Sequence, residues 1–84
     1  MPRFFIDTDD GRSFCPDEEG ALYSGLSAAE AIAVQALSEI ARDARPGSPP
    51  ERIRAQVRAE TGEVLVTATL QVTVERAVSQ RRFA

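Results

Sequence analysis

The stretch Arg52-Ile-Arg-Ala-Gln-Val-Arg-Ala-Glu-Thr-Gly-Glu-Val-Leu-Val-Thr-Ala-Thr-Leu-Gln-Val-Thr-Val-Glu75 decides the fold. In its first half Ile53, Ala55, Val57 and Ala59 alternate with Arg52, Arg54, Gln56, Arg58 and Glu60. In its second half Val64, Val66, Ala68, Leu70, Val72 and Val74 share one face, and Leu65, Thr67, Thr69, Gln71, Thr73 and Glu75 the other. A period of two is the signature of a strand with one buried face, and the second half is rich in β-branched residues. The first half also carries helix features: Ser48-Pro-Pro-Glu51 has the form of a helix start, and Ile53 and Val57 are four apart. Register settles the choice. A two-residue Thr61-Gly62 loop sets Glu60 opposite Glu63, and then Ala59 opposite Val64, Val57 opposite Val66, Ala55 opposite Ala68 and Ile53 opposite Leu70. Every inward residue meets an inward residue, which a helix over 52–60 would not produce. Residues 72–76 overrun their partner, because Pro49 and Pro50 end the pairing. That overhang calls for another neighbour, either an earlier hairpin or a second chain.

Upstream, Ser27 and Glu30 have the spacing of a capping box, and Ala28 to about Ala44 runs without glycine or proline. Ile32, Ala33, Ala36, Leu37, Ile40 and Ala44 fall on one stripe, so a helix is expected there with that stripe inward. Pro46-Gly47 stops it, and residues 45–50 form a stiff linker. At the N-terminus, residues 3–8 read as a strand and 12–16 as its hairpin partner. A three-residue loop, Asp9-Asp10-Gly11, places Phe4, Ile6, Phe14 and Pro16 on one face, with Gly11 at the left-handed position such a loop needs. Phe5 and Cys15 then share the opposite face. The order hairpin, helix, hairpin predicts an α+β domain: a four-stranded, largely antiparallel sheet with one helix across one face. It spans residues 1–78, with a frayed tail at 79–84.

Composition narrows the function. The chain has 84 residues, a net charge of −3 and no histidine or tryptophan. A small acidic domain lacks the basic stripe of nucleic-acid binders. All of its basic residues are arginine, which reads as GC-rich coding. Without histidine there is no Ser-His-Asp or Cys-His nucleophilic site and no histidine-ligated metal. The lone Cys15 cannot form an intramolecular disulfide, and the sequence shows neither a signal-peptide run nor a membrane span. A cytoplasmic setting is expected.

Chemistry-bearing residues crowd the first twenty positions: Asp7, Asp9, Asp10, Asp17, Glu18 and Glu19. Oxygen ligands suit a hard cation, but Gly11 and Arg12 fall where a calcium loop needs an acid and then glycine. Turn formation and solubility explain the cluster. No metal, cofactor or catalytic residue is therefore expected, and no enzymatic activity. The sheet face away from the helix is the candidate interface, carrying Phe5, Cys15, Leu65, Thr67, Thr69, Arg54 and Arg58. A partly apolar face with an overhanging strand invites self-association. The expected function is a non-enzymatic interaction module, forming a homodimer. A regulatory partner of another protein and an anion- or metal-binding module are the alternatives.

The order of short motifs adds a resemblance. Met-Pro-Arg-Phe-Phe-Ile-Asp7, the hairpin Gly11, Asp17-Glu-Glu-Gly20, the alanine-rich helix from Ala28 to Asp43 and the hairpin Val57-Arg-Ala-Glu-Thr-Gly62 follow one another. The chain up to about Glu75 resembles a family of small, mainly alphaproteobacterial proteins, domain of unknown function 6894. The resemblance implies a strand over 52–60 and a bacterial cytoplasmic setting, and it supplies no functional residues. Pro16-Asp17, Gly20 and Ala29-Glu-Ala31 are also similar to the HicB-type antitoxin layout of strand pair, turn and amphipathic helix, without a recognisable DNA-binding tail. That likeness implies a partner-masking role.

Overall fold

The computed structural model describes residues 1–43 and 52–77. The linker at 45–50, the helix end at Ala44 and the tail at 79–84 lie outside the described residues. The elements run β1 (Arg3–Asp9), β2 (Phe14–Cys15), β3 (Ala21–Leu22), α1 (Leu26–Arg42), β4 (Arg52–Ala59) and β5 (Val64–Gln71). They form an α+β fold, one helix on one face of an antiparallel sheet ordered β2-β1-β4-β5, as the alternating segments predict. The short β3 joins β1 on the same side as β2.

β4 is the centre of the molecule. It pairs β1 with Phe4 opposite Ala59, Ile6 opposite Val57 and Thr8 opposite Ala55. It pairs β5 with Ile53 opposite Leu70, Ala55 opposite Ala68 and Val57 opposite Val66, the register that the inward residues require. Phe4, Ile53, Ala55 and Val57 meet Ala29, Ala33 and Leu37 of α1 in the core, with Ile6, Tyr23, Ile40, Val66, Ala68 and Leu70 around them. Small residues on both sides let the helix lie close to the sheet, and they keep the core small for a domain of this size.

Four local expectations are corrected. The helix begins at Leu26, with extended Gly25 as the N-cap residue, and no side chain caps it. The Ala29 N–H donates to the Gly25 carbonyl. This early start puts Ser27 inside the first turn, so the Ser27–Glu30 capping box does not form. The buried stripe is Ala29, Ala33 and Leu37, and Ile32 is exposed because it sits about 100° around the helix from Ala33.

The first hairpin pairs Thr8 with Cys15 and Asp9 with Phe14, leaving residues 10–13 as the loop. Asp10 Oδ1 accepts the N–H groups of Arg12 (2.8 Å) and Ser13 (2.9 Å), and Asp9 Oδ1 that of Gly11 (2.9 Å). These side-chain turns outweigh the three-residue loop. The longer loop moves Phe14 to the face of Phe5 and Asp7, and moves Cys15 to the helix side. Cys15 is therefore not a partner of Phe5 on the outer face.

The second hairpin closes through Gly62 N–H to Ala59 O (2.9 Å) and Ala59 N–H to Glu63 O (2.8 Å), with Gly62 at φ 95. Arg58 then pairs with Val64, and a register shift restores Val57 opposite Val66. This bulge avoids setting Glu60 opposite Glu63, and it takes Val64 off the inward face. Residues 72–77 continue past β5 without strand pairing among the described residues.

Candidate functional site

Two surfaces remain once the core is assigned: the outer sheet face and the free side of β5. The outer face is organised by Asp7. Odd-numbered positions of β1 point away from the helix, which brings Asp7 opposite Gln56 and Phe5 opposite Arg58. Asp7 is only 2% exposed. Arg58 grips it with two N–H groups, Nε to Oδ2 at 3.0 Å and Nη2 to Oδ1 at 3.2 Å. Gln56 Nε2 donates to Oδ2 at 2.8 Å and the Asp17 N–H to Oδ1 at 2.9 Å. Burial raises the pKa of Asp7, and hydrogen bonds from Arg58, Gln56 and the Asp17 amide more than offset it, lowering it to about 2. The same contact with Asp7 raises the pKa of Arg58.

Asp17 continues the network into the gap between β2 and β3. Its Oδ2 accepts the Ile6 N–H at 3.1 Å, and its Oδ1 accepts those of Gly20 (2.9 Å) and Glu19 (3.2 Å). A carboxylate thus stands in for a strand partner of β1. Burial raises its pKa, the N–H donors of Gly20, Ile6 and Glu19 lower it, and the net direction is down. Arg58 Nη2 also donates to the Asp17 carbonyl at 3.0 Å. Gly20 is fixed here twice: its φ is +68, and a Cβ would come within 2.8 Å of the Phe4 carbonyl and 2.9 Å of the Phe5 ring. The Arg58 guanidinium lies 4.8 Å from the centre of that Phe5 ring.

The candidate interface residues are therefore not equivalent. Phe5 and Arg58 stack on one another. Arg54 reaches Asp9 at 3.2 Å and stands opposite Thr69, while Thr67 stands opposite Gln56. Leu65 lies at the bulge and is exposed. Cys15 is exposed on the other face, and Phe14, 56% exposed, takes the outward place. Phe14 borders a shallow depression with Asp7, Asp9, Arg54, Gln56 and Thr67. The acidic cluster of the sequence includes Asp7 and Asp17, but Gln56 and the joining of these residues into one hub escape it, because the β1–β4 pairing and the Asp17 amide bring them together. Four carboxylates of the acidic run, those of Asp7, Asp9, Asp10 and Asp17, are spent on turns and on this network.

The second surface is simpler. β5 is the last strand in the sheet order, so among the described residues its outer side has no partner. From Val64 to Val74 there is no charged residue and no proline. Val64, Leu65 and Val74 are exposed along it, Val74 at 71%.

Among the described residues no helix is long and apolar enough to cross a membrane. No curated protein and no solved structure matches the chain. Residues 3–71, from the first residue of β1 to the last of β5, match the domain of unknown function DUF6894, and the chain belongs to that family.

Proposed function

We propose that this domain is a non-enzymatic interaction module of the bacterial cytoplasm that self-associates, in its simplest form as a homodimer. The observation that carries the reading is the outer side of β5, which has no strand partner among the described residues: an eight-residue strand without the charges or proline that normally protect an edge. The edge supports association better than the outer face does, because Phe5, Arg58 and Arg54 on that face are engaged within the chain. A small core gives the chain a reason to bury more surface. An exposed lone thiol at Cys15 suits a reducing compartment.

Sedimentation equilibrium from low to high micromolar concentration tests the reading, with a dimer that dissociates on dilution as the expected result. A strict monomer across that range overturns it. The same edge could accept a strand from a different protein, as a regulatory partner of the antitoxin type would require. A stable complex of unequal chains, displacing the homodimer, would favour that second reading.

A further inference from the structure

Resting on the self-association reading, we infer that β5 pairs antiparallel with β5 of a second copy about a two-fold axis at Leu70, making one continuous sheet with both helices on the same face. A two-fold axis perpendicular to the sheet keeps the helix side of one copy beside the helix side of the other. Paired residues then share a face, which restricts the register to steps of two.

Two features choose among those registers. The bulge at Val64–Leu65 distorts the start of β5, so regular pairing begins at Val66. Centring the axis on Thr69 would set Val74 opposite the partner's Val64, inside that bulge, and centring it on Gln71 would set the apolar Val66 opposite the partner's charged Arg76. Centring it on Leu70 avoids both obstacles. Val66 then faces the partner's Val74, Ala68 the partner's Val72, and Leu70 the partner's Leu70, all on the helix side. On the other side Thr67 faces the partner's Thr73 and Thr69 the partner's Gln71. Apolar meets apolar and polar meets polar at each of these positions, and the exposed Val74 gains a neighbour.

The helices also fit. Each lies chiefly over β4, and the two β4 strands would be three strand spacings apart, about 14 Å. Packed helices need only about 8–10 Å, so two of them share the face without collision. A second copy is the occupant because the strand is complementary to itself in this register.

Disulfide trapping in a Cys15→Ser background tests the geometry. Leu70→Cys is expected to give a covalent dimer on mild oxidation. Thr69→Cys alone is expected to give none, whereas a mixture of Thr69→Cys and Gln71→Cys chains cross-links. The last two sites are exposed, so they leave the core intact if Leu70→Cys perturbs it. A chain that still dimerises but cross-links through Thr69→Cys alone overturns this register and leaves self-association standing. A dimer that none of these sites traps overturns β5 pairing. A monomer at every concentration overturns both.

Discussion

The two edges of this sheet are opposites. On the β1 side the strand partner is broken into β2 and β3, two residues each, and a carboxylate fills the gap between them. On the β5 side a single eight-residue strand forms the boundary among the described residues, regular from Val66 onward. One edge is sealed by irregular chain and buried polar groups, the other is left regular and neutral. Among the described residues the regular edge is the one to which a further strand would add, as the proposed self-association requires.

The comparison can be broken most severely on the sealed side. Arg58→Ala leaves Asp7 buried without its ion-pair partner, and a loss of about 3 kcal/mol is expected in urea unfolding. Asp7→Ala should cost about half of that, because Arg58 is 27% exposed and can turn to water. Equal losses would show that the pair is not anchored by the buried carboxylate. Gly20→Ala strains a left-handed position and crowds the Phe4 carbonyl, at a cost of about 2 kcal/mol.

Acid should act on the same side. Asp7 has a folded pKa of about 2 against an ordinary 3.8, so its ionised form stabilises the fold fully above the ordinary value. That contribution, about 2 kcal/mol, is lost as pH falls from near 4 towards 2. Asp17 shifts in the same direction. Unfolding midpoints measured across this range should fall, and Asp7→Asn should flatten the slope. On the open side the smallest change in folding is expected. Thr69→Lys is exposed and should alter monomer stability by less than about 0.5 kcal/mol. It should nevertheless weaken dimerisation at least tenfold by dilution, and an unchanged dimer would remove β5 from the interface.

The open side was the more legible in sequence. Strict alternation from Ile53 to Val74 carries its own register, and only the turn at Gly62 departs, because two glutamates would have faced each other. The sealed side was hidden. Its hairpin depends on how Asp9 and Asp10 bond to the backbone around Gly11, and those bonds moved Cys15 and Phe14 to exchanged faces. The Asp7 hub was less visible still, since Asp7 and Arg58 are 51 residues apart and nothing local links them. The helix lay between these cases: its apolar period marked its existence, but Gly25 rather than Ser27 set its start.

That long separation bears on how the chain reaches this structure. The β4–β5 hairpin closes over a few residues, whereas the β1–β4 ladder must first close a loop holding the helix and both short strands. Hairpin contacts should therefore form early, and the Asp7–Arg58 clasp should be among the last to lock. Weakening the clasp would then speed unfolding while leaving the refolding rate nearly unchanged, as the two arms of a chevron would report. Until β1 arrives, β4 and β5 each present a bare edge, so pairing between nascent chains competes with completion of the fold.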